Sequence, residues 1–135
     1  MLLLATPILA MAGPALAHQF VGYFDYGSAV LGPGAYVTAR EVVDYVQKHE
    51  GSEKPVVGVY AHLDTAEAAE FSSDLAEQRA QAMAAELVTL GLDPATICTR
   101  AQGATQLARA TPPLTREPLN RRLTVEINFG SPHRC

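Results

Sequence analysis

Tryptophan is absent, cysteine occurs twice, and Phe, Trp and Tyr together make up 7% of the chain. Two cysteines exclude a disulfide-dense miniprotein. Cations are scarce: ten Lys and Arg face fourteen Asp and Glu, for a net charge of -4. An acidic chain with no clustered cations is a poor partner for nucleic acid. Charge of either sign is low at 18%, against 48% hydrophobic residues. That balance is too apolar for a disordered chain. Ten Gly and nine Pro without a period exclude a collagen-like chain. No unbroken apolar run reaches the roughly 18–20 residues of a spanning helix. What remains is one domain's worth of chain, 135 residues.

The first seventeen residues, MLLLATPILAMAGPALA, carry no charged side chain and end Ala15-Leu16-Ala17. An apolar stretch closed by a small-x-small triplet predicts a secretory signal peptide over 1–17, although the usual Lys or Arg near the start is absent. Cleavage after Ala17 leaves a single domain over 18–135. Export places Cys98 and Cys135 in an oxidising compartment, where they either pair or remain a buried thiol and a tail thiol. No cysteine follows the cleavage site directly, so lipid attachment there is not expected. No second hydrophobic span follows, so the mature chain is expected not to cross a membrane.

Along the rest of the chain, Phe20–Tyr26 is aromatic and β-branched and reads as a strand. Gly27–Gly34 is a loop whose Pro33 opens a helix. Val37, Val42, Val43 and Val46 give Ala35–Lys48 a helical period. Val56–Asp64 reads as a second strand. Thr65–Ser73 is a connection, and Asp74–Leu90 is a second helix stopped by Gly91. Ser72, Ser73 and Asp74 are all plausible caps for it, and Asp74 with Glu77 has capping-box spacing. Ala95–Ala101 holds a short strand around Ile97–Thr99, Gly103–Asn120 is a long loop, and Leu123–Phe129 is a closing strand with alternating apolar residues. The order β-α-β-α-β-β predicts an α/β (α+β) two-layer sandwich, a mixed four-stranded sheet with two helices on one face.

Arg79 breaks the pattern of the second helix. It lies four residues after Leu75 and four before Met83, on the apolar stripe. A guanidinium there needs a partner or a path to water. Asp64, at the end of the second strand, is the nearest sensible partner, at the kind of strand end where α/β proteins place ligands. The two charges either pair with each other or grip the two ends of a zwitterion.

Asp64, Ser72, Leu75, Arg79 and Ala80 form D-x7-S-x2-L-x3-R-A. This resembles the D-x7-N-x2-L-S-x2-R-A signature of OmpA-like peptidoglycan-binding domains. Phe24-Asp25-Tyr26 with Ser28-Ala29, Gly91-Leu92 with Ile97, Gly103, and Asn120-Arg121-Arg122-Leu123-Thr124-Val125-Glu126-Ile127 are similar to further family segments, over roughly 21–129. The resemblance implies non-covalent binding of the diaminopimelate residue of the peptidoglycan stem peptide, with no catalysis and no cofactor. It implies that Asp64 holds the ligand's ammonium and Arg79 its carboxylate, with Ser72 and Arg122, or its neighbour Arg121, in support. That assignment is chemically sensible: a carboxylate accepts from an ammonium, and a guanidinium grips a carboxylate with two parallel bonds. The implied setting is the periplasm of a Gram-negative cell, at the wall or outer membrane, with peptidoglycan and an envelope protein as partners.

Several positions depart from the family pattern. Ser72 replaces Asn, Ala76 replaces Ser, Leu63 replaces Thr, His62 replaces a common aromatic, and Glu67 stands where glycine is usual. Glu67 adds negative charge near the place of a ligand carboxylate. Two rival readings follow. One is an OmpA-like fold with a decayed site, acting as a structural or protein-interaction module. The other is a small metal enzyme built on His62 and Asp64, which lacks a third ligand at any recognisable spacing.

Overall fold

The computed structural model describes residues 18–51 and 53–130. The proposed leader, and Cys135, lie outside them. Strands β1 (His18–Tyr23), β2 (Pro55–His62), β3 (Ile97–Gly103) and β4 (Arg122–Phe129) form one sheet in the order β1-β4-β2-β3. β4 runs antiparallel to both β1 and β2, whereas β2 and β3 are parallel. A parallel pair needs a long crossover. Here it passes through helix α2 (Thr65–Glu70) and helix α3 (Asp74–Thr89), and α1 (Pro33–His49) joins β1 to β2. The expected mixed sheet is present, with α2 as an additional short helix inside the segment read as a plain connection.

Alternation along the strands builds the core on one face. Val57, Val59 and Ala61 of β2 and Leu123, Val125 and Ile127 of β4 are buried against Ala39, Val42 and Val46 of α1 and Ala80, Met83 and Leu87 of α3. α1 starts where Pro33 needs no helical N–H partner, after Gly32 as N-cap. The Thr38 hydroxyl ties α1 to β1 by donating to the Val21 carbonyl at 3.0 Å.

α3 ends in a Schellman turn. Gly91 N–H donates to Val88 O and Leu92 N–H to Leu87 O, both at 3.0 Å, with Gly91 at φ +113°. Leu92 folds back into the core beside Leu87. At the other end of α3 the N-cap is Ser73, one of the three candidates, but with no side-chain cap bond, and Asp74 and Glu77 form no capping box there. That box is found at α2 instead.

β1 stops at Tyr23, three residues before the expected end, and the chain turns through Gly27 at φ +66°. β2 likewise stops at His62, leaving Asp64 as the N-cap of α2. β3 extends to Gly103, beyond the short strand expected around Ile97–Thr99. Cys98, on β3, is disulfide-bonded.

Candidate functional site

Where β2 gives way to α2, the early end of β1, the first turns of α2 and α3, and the start of β4 converge. Four charged side chains meet there. Asp64 caps α2: its Oδ1 accepts from Glu67 N–H at 2.7 Å, while Glu67 Oε1 accepts from Asp64 N–H at 3.1 Å. This reciprocal capping box satisfies two otherwise orphaned donors. It also aims the Glu67 carboxylate inward, and Asp64, Glu67 and Arg79 are all 0% exposed.

The interior Arg79 is paired with Glu67. Its Nη1 donates to Glu67 Oε1 at 2.9 Å, and Nη2 donates to Oε2. The remaining guanidinium donors reach backbone carbonyls: Nε to Ser28 O at 2.8 Å, Nη1 to His62 O at 3.0 Å, and Nη2 to Asp25 O at 3.2 Å. All five N–H bonds are engaged. The Phe24 ring lies 4.8 Å from the guanidinium carbon. Ending β1 at Tyr23 has a use here, because the turn that follows delivers two of these carbonyls. Gly27 N–H adds a further bond to Glu67 Oε2 at 2.9 Å.

Asp64 is paired with Arg121. Asp64 Oδ2 accepts from Arg121 Nη1 and from Glu117 N–H, each at 3.1 Å. Arg121 is held in place by donating from Nε to Phe24 O at 3.2 Å. Asp64 and Arg79 therefore do not pair with each other, nor do they open into a shared exposed cleft; each carries its own counter-ion. Above them, Tyr26 stacks under the Arg116 guanidinium at 3.7 Å and meets the Phe71 ring edge-on.

Two other expected contributors stand apart. Ser72 is exposed in the turn between α2 and α3. Arg122 faces away from Asp64 and donates to Gln106 O at 3.2 Å, so the arginine at Asp64 is Arg121. Arg121 closes the 3-10 turn Pro118–Asn120 just before the strand, whereas Arg122 is the first residue of β4. His62 touches the charge knot through its carbonyl alone, and its ring lies near Arg122. Burial first, and then the Arg122 charge, lower its pKa to about 4, and its Nδ1 has no hydrogen-bond partner. Among the described residues, no three His, Cys, Asp or Glu side chains stand together as a metal site.

The long loop before β4 is pinned rather than loose. Asn120, fully buried, bonds Arg109 in both directions, at 2.9 and 2.8 Å. Thr65 Oγ1 donates to Pro112 O at 2.8 Å and accepts from Thr115 N–H at 3.0 Å. These bonds hold the loop against the start of α2 and bring Glu117 to Asp64.

Sequence reasoning missed Glu67 as the partner of Arg79. The signal was available: Asp64-x-x-Glu67 has capping-box spacing immediately after a strand. A box at that point sends the N3 carboxylate back toward the strand end, where Arg79 arrives from α3.

Residues 23–121 match the OmpA family. The chain belongs to the OmpA family. Among solved structures, this OmpA-family fold resembles the OmpA-like domain of FopA1 from Francisella tularensis, at 21% identity and TM-score 0.65, covering 84% of this chain and 75% of that one. It resembles the peptidoglycan-associated lipoprotein of Burkholderia pseudomallei at 18% identity and TM-score 0.68, covering 80% and 89%. The periplasmic domain of Helicobacter pylori MotB (residues 90–256) aligns at 13% identity and TM-score 0.71, covering 88% and 78%. At these identities the likeness is one of fold. No curated protein matches the sequence. No helix among the described residues is long and apolar enough to cross a membrane.

Proposed function

We propose that this OmpA-family domain is a non-catalytic component of the bacterial cell envelope that associates with peptidoglycan by exchange. The zwitterionic end of a stem-peptide diaminopimelate would take Arg79 with its carboxylate and Asp64 with its ammonium, displacing the chain's own charges. The observation that carries this reading is the closeness of Asp64, at the end of β2, and Arg79, on α3, each already paired with a side chain of opposite sign. The chemistry is matched: bidentate guanidinium for a carboxylate, acceptor oxygens for an ammonium. Support comes also from family membership and from a structural neighbour whose name includes peptidoglycan association. Of the two arginines that the resemblance offers in support, Arg121 is the one bonded to Asp64, and Ser72 has no part in this arrangement.

Exchange predicts weak binding, because the internal bonds must be broken first. Co-sedimentation with isolated sacculi tests it. The wild-type chain is expected to pellet in part and to be released by a diaminopimelate-containing tripeptide, and Asp64→Asn is expected to stay in solution. Equal, negligible pelleting of both proteins would remove the reading.

The second reading is a structural or protein-interaction module whose ligand site is permanently filled. The complete engagement of all five Arg79 donors favours it. Under that reading the tripeptide does not bind at any attainable concentration.

A further inference from the structure

We infer that Glu67 is an internal stand-in for the ligand carboxylate and sets the affinity of the site; this rests on the reading of Asp64 and Arg79 as a zwitterion site. A bound α-amino carboxylate has two charged ends. The chain supplies both from within. Glu67 presents its carboxylate to Arg79 with the parallel, two-oxygen geometry that a ligand carboxylate would adopt. Arg121 presents a cation to Asp64 Oδ2.

The substitute is built firmly. Glu67 accepts four hydrogen bonds, from Asp64 N–H, Gly27 N–H and the two Arg79 Nη groups. Neither side chain of the Glu67–Arg79 pair is exposed to solvent. Arg79 has no donor left, so a second carboxylate gains nothing until Glu67 leaves. When it leaves, its carboxylate must be rehydrated or re-paired, and Gly27 N–H must find another acceptor. A glycine at position 67 carries no side chain and leaves Arg79's bidentate face to whatever carboxylate arrives. Glu67 is thus a brake on zwitterion binding, held in place by the same capping box that starts α2.

The experiment is titration of the folded chain with a diaminopimelate-containing tripeptide, followed by calorimetry and by the thermal midpoint. Wild type, Glu67→Gly and Glu67→Gln are compared. The glycine variant is expected to bind about ten-fold more tightly than wild type or better, and to lose that gain when combined with Asp64→Asn. Glu67→Gln keeps the shape but surrenders the charge-assisted bonds, so its affinity is expected to fall between the two. It also carries the test if the glycine variant does not fold. Folded variants that bind no better than a binding-competent wild type would overturn the inference and leave the exchange reading standing. Failure of all three folded proteins to bind would overturn both.

Discussion

At the scale of single residues, burial decides what each charge is for. Asp64, Glu67, Arg79 and Arg121 are useful to one another before any ligand arrives, because a buried charge left alone costs several kcal/mol. His62 shows the same principle at a ring whose Nδ1 has no hydrogen-bond partner. Its pKa of about 4 lies below the ordinary 6.5, first because of burial and then because of Arg122. Between those values the unfolded chain binds the proton and the folded chain does not, so stability is lost as pH falls from about 6.5 toward 4. The loss at the acid end is roughly 2–4 kcal/mol. Urea unfolding of wild type and His62→Gln at neutral and acidic pH checks this: the variant is expected to show a shallower acid decline, and parallel declines would contradict it. Residue by residue, the sequence exposed Arg79 as an anomaly because its place on an apolar stripe follows from helical spacing. Its partner was not legible in the same way, since Asp64 and Glu67 are both near and only the capping-box geometry separates them.

At the scale of elements, boundaries are set by backbone accounting more than by side-chain pattern. α3 ends because Gly91 takes a positive φ and closes two carbonyls, and this was readable from the glycine alone. Gly91→Ala is expected to cost about 1–2 kcal/mol, since an L residue there is strained. An added methyl would meet only Gln47 Nε2, at 3.9 Å, so the loss is one of backbone conformation and not of collision. Gly34, in the first turn of α1 with open space around it, is the matched control. Gly34→Ala is expected to raise the thermal midpoint while Gly91→Ala lowers it, and shifts of the same sign would defeat the argument. By contrast, α2 was hidden inside Thr65–Ser73. Six residues are too few to show a helical period, and its existence depends on the box at its start and on the loop bonded to Thr65. The extra length given to β1 has a similar origin. Phe24-Asp25-Tyr26 reads as strand from its composition, yet the Asp25 carbonyl is required by Arg79.

At the scale of the whole molecule, the layer arrangement and the mixed sheet were legible from the order of elements, whereas the strand order β1-β4-β2-β3 was not. Alternation says which face of a strand is buried but carries no information about its neighbours. Cys98 adds a covalent restraint on edge strand β3. Reduction is expected to lower stability by about 2–4 kcal/mol, read as a lower thermal midpoint in the presence of a thiol reductant. A midpoint unmoved by reductant would assign the bond no role in stability. The Glu67–Arg79 pair has a consequence on a different axis, that of descent. Losing either member alone strands the other in the interior, so neither position is free to drift by single steps. A lineage that traded Glu67 for glycine would need something to hold Arg79 at the same moment, and the most available substitute is a carboxylate from outside the chain. Stability and ligand dependence would then be inherited together, each opposing the loss of the other.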